Sequence, residues 1–362
     1  MKIALHNPHK LANLTNYRIH NYVVDMIKMG YIDYLFFDDP SFFKELKSNL
    51  YLLNNIRKQY GWKDLGLNKV KFIFSSRSLN KKCDVLLNFN GTPKEDFTAA
   101  VKDFPGIKAF HLMDYFWREP GSEKYKRLKE YGVDYLMGYA SHDKYCTYFE
   151  EYFPDYIGKV IAVPFGFAER FKSTVPFEDR KNKCVAVGSV NPFRPPDAAP
   201  INYIETADFF QGEEWLHKFR RQIVENMPTL GNEIDSMLPV FPKYKDHKYD
   251  IVAKLNEYKM FVSDETMFYF PTAKTFEGPA CGTVMVCSDH PCFAEYGFID
   301  GINCITHKQM DIADMKAKIT EYQNNPEKLA QIQQNATKFV LENYSHQAIA
   351  KRLYEEVKKL KK

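Results

Sequence analysis

Short apolar runs alternate along this chain with stretches of helical period. Runs near residues 2–5, 31–37, 70–74, 85–89, 107–112, 133–137 and 160–163 have strand lengths. Between several of them the apolar positions recur every three or four residues. Ile19, Val23, Met26 and Ile27 share one side, and residues 123–131 and 142–153 also read as helices. Strands spaced by helices predict parallel βαβ units. The pattern pauses at Pro164-Phe165-Gly166-Phe167, and the polar residues that follow read as a linker. A second series opens with Lys183-Cys184-Val185-Ala186-Val187 and runs into a turn at Gly188-Ser189. Helices are then predicted at 213–226, 249–257, 312–322, 326–342 and 346–360. The expected organisation is an α/β domain over 1–170, a linker over 171–182, an α/β domain over 183–343 and a terminal helix over 344–362. Two such halves, with their loops at strand carboxyl ends, leave a cleft suited to a two-substrate reaction.

At 362 residues the chain exceeds one ordinary core, in keeping with two domains. A net charge of +4 is too small to direct it to nucleic acid. The end Lys358-Lys359-Leu360-Lys361-Lys362 fits a solvated helix terminus, or a weak contact with an anionic membrane surface. Seven cysteines, an odd number without Cys-x-x-Cys spacing, argue against a disulfide framework and a zinc site, and for free thiols in a reducing compartment. No signal-like apolar region follows Met1 and no run reaches transmembrane length, so the expectation is a cytoplasmic protein. The 24 Tyr and 29 Phe are enough to fill the cores and also line a carbohydrate-stacking groove.

The most informative stretch runs from Lys259 to His307. A strand-like run ends at Ser263-Asp264-Glu265. A short helix follows, led by Lys274 and carrying Glu277, and Gly282 stops it before an apolar run to Cys287. A cation and a carboxylate three residues apart share one helical face. At a strand-to-helix edge the cation suits a phosphate and the carboxylate suits sugar or ribose hydroxyls. The alternative is a surface ion pair.

The block Lys274-Thr275-Phe276-Glu277-Gly278-Pro279-Ala280-Cys281-Gly282, the turn Gly297-Phe298-Ile299-Asp300-Gly301-Ile302-Asn303 and the helices after it resemble group-1-like glycosyltransferases. Those enzymes have the GT-B fold, two Rossmann-like domains facing a cleft. The resemblance also implies that the last helix crosses back to the first domain. Val163-Pro164-Phe165-Gly166-Phe167 and Val185-Ala186-Val187-Gly188-Ser189 resemble the family's interdomain step and second-domain strand. Retaining members carry two glutamates eight positions apart; Glu277 matches the second and Tyr269 occupies the first. Lys259 to Glu265 has the spacing of the donor cassette of α1,3-fucosyltransferases, which invert, although Ala273 replaces a motif glutamate.

The resemblance implies a hexosyl- or deoxyhexosyltransferase that uses a UDP- or GDP-sugar and a hydroxyl of a glycan or other acceptor. No two aspartates flank a single residue, so no cofactor is expected beyond the donor, with Mg2+ at most accompanying the nucleotide. The leaving diphosphate is then met by side chains and helix N-termini. Lys274 is the first candidate and Arg194 the second. Gly188, Ser189 and Lys259 belong to the same donor side, Glu277 is assigned to ribose and Glu265 to the sugar. For the base, Asp114 sits after the run 107–112 among aromatics, where its pKa would rise; His6 and His9 are rivals. A sugar-nucleotide epimerase and a catalytically silent sugar- or nucleotide-binding protein of the same fold stand as alternatives.

Overall fold

The structure, a computed structural model, describes residues 1–8, 20–39, 70–91, 94–112, 121–192, 209–210, 213, 215–240 and 249–362. The chain forms two compact units, Met1–Val163 with His346–Lys362, and Pro164–Ser345.

The first unit holds a seven-stranded parallel sheet of β1 (Ile3–His6), β2 (Tyr34–Phe36), β3 (Lys71–Ile73), β4 (Val85–Asn88), β5 (Ile107–His111), β6 (Tyr135–Gly138) and β7 (Val160–Ala162), in the order β3-β2-β1-β4-β5-β6-β7. Every residue of β1, β4 and β5 is buried, as expected for parallel strands covered on both faces. Lys108 is tolerated inside β5 because its ammonium donates to the carbonyls of Lys102 and Tyr131 at 3.2 and 2.8 Å. The strand order reverses between β1 and β4. A crevice at the carboxyl ends of a sheet opens at such a reversal.

The helix His346–Lys359 belongs to this first unit and packs on the helix His20–Lys28. Its buried stripe is Ile349, Ala350, Leu353 and Val357, and Tyr354 stacks on Tyr31 with ring centroids 4.2 Å apart. The return to the first domain implied by the family resemblance is present.

The second unit holds β8 (Lys181–Val187), β9 (Ile234–Met237), β10 (Tyr258–Val262), β11 (Val284–Ser288) and β12 (Ile305–His307), all parallel, in the order β12-β11-β10-β8-β9. Here the order reverses between β8 and β10. Sequence reading missed β9, whose residues Ile-Asp-Ser-Met bury fully only at Ile234. The division falls at Pro164 rather than near residue 170, and the segment expected as a linker is part of the second unit. Arg180 fixes it there, donating to the carbonyls of Val175, Cys281 and Gly282 at 2.8, 2.9 and 2.9 Å.

The Lys274–Ala280 helix is buried throughout and lies close on β10. A Cβ added at Gly278 would stand 2.2 Å from the Phe261 ring, which explains the glycine inside the helix. Gly278→Ala is therefore expected to destabilise by about 1–3 kcal/mol through overpacking, despite alanine's better helix propensity. A thermal melt checks this; an unchanged or raised midpoint contradicts it. The turn that resembles a family motif is structural: the Asn303 side chain accepts from Ile299 N–H at 2.7 Å and donates to Gly297 O at 3.0 Å.

Candidate active site

The two reversal points carry the two polar clusters of the molecule that matter here. In the second unit, β8 is followed directly by Gly188, whose φ of +126° suits glycine. A Cβ there would lie 3.0 Å from a terminal nitrogen of Arg220 and 3.1 Å from the Lys274 ammonium. Two cations therefore crowd the position that a side chain at residue 188 would take. Lys274 reaches it from the first position of its helix and donates to Val187 O. Arg220 reaches it from the helix Lys218–Glu225, where the core contacts of Phe219 and Ile223 fix the helix and turn Arg220 inward. Its Nε donates to Asp264 at 2.9 Å and a terminal nitrogen donates to Ser189 O at 3.2 Å. Burial pushes the Asp264 carboxyl up, but the charges of Arg220 and Lys274 outweigh it and hold the pKa below the ordinary value. Arg220 and Lys274 thus bring two cationic groups to Asp264 at the carboxyl end of β8.

Asp264 also lines a pocket of about 530 Å³, together with Glu265, Tyr269, Trp215, His217 and Met310 among others. Arg220 bonds to Asp264 and Lys274 acts on it through its charge, and neither they nor Gly188 are pocket walls. Glu265 follows β10 and is held at both oxygens, by Gln309 Nε2 and Ser288 Oγ at 2.6 Å each. Glu277 is buried one turn beyond Lys274. His217 Nδ1 accepts the Asn191 N–H at 3.2 Å, which puts the ring proton on Nε2. Burial first, and the Arg220 charge next, push the His217 pKa down to about 3, so the ring is neutral at physiological pH.

Lys259 is not brought to this cluster. It lies at the amino end of β10, the end opposite Asp264 and Glu265, with its ammonium 5.5 Å from the Phe177 ring centre. Ser189 contributes its carbonyl to Arg220. Arg194, Asp114 and His9 lie outside the described residues.

In the first unit, His6 ends β1 fully buried. Its Nε2 stands 2.6 Å from Asp38 Oδ1, and Asn88 Nδ2 stands 3.0 Å from its Nδ1. An amide NH2 can only donate, so Nδ1 accepts and the proton lies on Nε2 toward Asp38. Burial raises the Asp38 pKa, but hydrogen bonding to His6, with help from Thr98 and Asn7, brings it below the usual value. Beside it, the buried Asp96 accepts from the amides of Asn7, Asn88 and Asn90 at 3.0, 2.9 and 2.9 Å. Both nitrogens of His6 are committed, so in this arrangement it orders the loops at the crevice; taking a proton from an acceptor requires breaking one of these bonds.

His217 and His346 also set a pH dependence. Burial lowers the His346 pKa to about 4. Both folded pKa values lie below the unfolded value of 6.5, so from pH 6.5 downward the unfolded chain binds protons that the folded one does not. Stability is therefore complete above about pH 6.5 and falls on acidification toward pH 4. Urea midpoints across this range check it, and the slope should flatten in His346→Gln; a flat wild-type profile contradicts it.

The family described as glycosyl transferase-like matches residues 213–355, less than half of the chain. No curated protein sequence matches. Among solved structures, HepE from Anabaena in complex with UDP and glucose is similar at 11% identity, with 99% of this chain and 100% of that chain covered and a TM-score of 0.52. A glycosyltransferase from Rickettsia africae ESF-5 is similar at 12% identity, 99% and 99% coverage and a TM-score of 0.54. Sucrose-phosphate synthase from Thermosynechococcus elongatus is similar at 12% identity, 99% and 98% coverage and a TM-score of 0.51. With two parallel sheets and these likenesses, the chain has the GT-B fold of two Rossmann-like domains.

Proposed function

We propose that the protein is a glycosyltransferase that moves a sugar from a nucleotide-sugar donor to an acceptor hydroxyl. The observation that carries this reading is the pair of cations, Lys274 and Arg220, gathered beside Gly188 at the strand-order reversal of the second sheet. In the reaction the bond from the anomeric carbon to the diphosphate oxygen breaks, and the acceptor oxygen forms its bond to that carbon. Charge then grows on the diphosphate, where fixed cations stabilise it more than in the bound donor. Glu277, on the same helix as Lys274, is assigned to the ribose hydroxyls. UDP is favoured as the carrier by the likeness to HepE, whose structure holds UDP.

Transfer is assigned as inverting, because Tyr269 stands where retaining relatives of the resembled family have a glutamate. Inversion needs a base, and Asp114 remains the candidate. The experiment is a donor panel of UDP- and GDP-sugars with sugar acceptors, read by nucleoside diphosphate release and by NMR of the product's anomeric centre. Diphosphate release with inverted configuration supports the reading. Release without any acceptor dependence points to an epimerase or hydrolase, no release across the panel sinks enzymatic transfer, and retained configuration removes the base assignment.

A further inference from the structure

Among the described residues, three that are not glycine have positive φ: Asn7 at 43°, Tyr269 at 55° and Met310 at 60°. Asn7 belongs to the polar cluster of the first unit; Tyr269 and Met310 both line the pocket of the second. Left-handed backbone is costly for bulky side chains, and such strain collects where a side chain must be presented to a ligand.

The local structure shows how Tyr269 is presented. Residues 265–271 form a tight turn between β10 and the Lys274–Ala280 helix. Glu265 and Pro271 bridge its base, Thr266 N–H donates to Phe270 O at 3.1 Å and Tyr269 N–H donates to Thr266 O at 2.9 Å. The Tyr269 ring stacks on His290, with centroids 4.7 Å apart and planes 10° from parallel. At the base of the same turn, Glu265 is clamped by Ser288 from the end of β11 and by Gln309, which directly precedes Met310. Each carboxylate oxygen keeps a further lone pair after these bonds. The pocket thus carries a backed aromatic ring, an apolar thioether and an oriented carboxylate on walls that meet through one short turn.

We propose that Tyr269 and Glu265 form the donor-sugar subsite: the Tyr269 ring carries the C–H face of a hexopyranosyl group, and Glu265 accepts hydrogen bonds from its hydroxyls. A pyranose has one face of C–H bonds and a rim of hydroxyls, which matches a ring beside a fixed acceptor. The tyrosine is then a binding surface in place of a glutamate, and it sets which sugar is taken. The inference rests on the glycosyltransferase reading above.

Calorimetry with the matched pairs UDP and UDP-glucose, and GDP and GDP-mannose, tests it on the full chain. Tyr269→Asn keeps a residue that tolerates left-handed backbone and removes the ring. Glu265→Gln keeps the size and removes the charge. Each is expected to weaken the sugar nucleotide about tenfold and leave the free diphosphate within about twofold, while Tyr269→Phe stays near wild type. A melting temperature of Tyr269→Asn close to or above the wild type shows that the loss is not unfolding. Equal loss for diphosphate and sugar nucleotide overturns the subsite and gives the ring to the nucleobase. Unchanged affinity for both, or a wild type that binds the diphosphates and no sugar nucleotide, also overturns it. A wild type that binds none of the four ligands refutes the glycosyltransferase reading itself, and the subsite with it.

Discussion

Lys274→Ala is expected to lower transfer by about 10²–10³-fold, the scale of losing one fixed donor to a developing charge. Lys274 is buried, leads its helix and donates to Val187 O beside Gly188. Removing it also takes away one of the two cationic charges that hold the Asp264 pKa below its ordinary value. Ground-state affinity for the diphosphate should fall by about 1.5–3 kcal/mol, a charged hydrogen bond's contribution. The split between the two measurements matters: a larger loss in rate than in binding marks a contact that strengthens in the transition state. A variant with wild-type rate and affinity excludes Lys274 from the phosphate site. One that no longer folds, by melting temperature, assigns it to structure.

Deleting residues 346–362 is expected to unfold the first unit. The helix His346–Lys359 buries Ile349, Leu353 and Val357, each about 1.5–3 kcal/mol of apolar burial. It also carries the Tyr31–Tyr354 stack, and the chain just beyond it accepts from the Tyr135 hydroxyl at 2.7 Å through Lys361 O. Together these losses are comparable with the ~5–15 kcal/mol that stabilises a whole domain. Circular dichroism and limited proteolysis should show the Met1–Val163 region cleaved rapidly in the truncated chain. A truncated protein with wild-type protection shows that the tail merely decorates the first unit.

Where burial is on both faces, the sequence reads clearly: β1 and β4 are apolar except for their last residue, β5 and β10 are apolar apart from Lys108, His111 and Lys259, and each was recognisable from length and flanks. Helices with a single buried stripe, such as Ile312–Gln323 and Pro326–Asn343, were equally legible. Failures fall where tertiary partners replace apolarity. The strand Ile234–Met237 survives by pairing with β8, and the polar stretch before β8 is ordered by one buried arginine with long-range partners. The helix expected from residue 142 to 153 breaks at Cys146 into His142–Tyr145 and Thr147–Tyr152.

The candidate site divides the same way. Lys274, Glu277 and Glu265 announced themselves because charge stood at a strand-to-helix edge. Arg220 gave no such signal: it lies in a Lys-Phe-Arg-Arg stretch that any solvated helix could carry, and only the packing of Phe219 and Ile223 turns it inward. His6 was visible as a histidine at a strand end. Its bonds to Asp38 and Asn88, which bear on whether it is free to act, come from residues 32 and 82 positions away. Lys259 matched by spacing alone, and the direction of β10 carries it to the other end of the strand.

The central claim is that Gly188, Lys274 and Arg220 receive the diphosphate of a nucleotide sugar. A crystal structure of the protein with UDP tests it most directly. The expected result is diphosphate oxygens beside Gly188 within hydrogen-bond distance of Lys274 Nζ and the Arg220 guanidinium, with the ribose at Glu277. A diphosphate bound elsewhere, or a nucleobase held by Lys274 and Arg220 in its place, would contradict it.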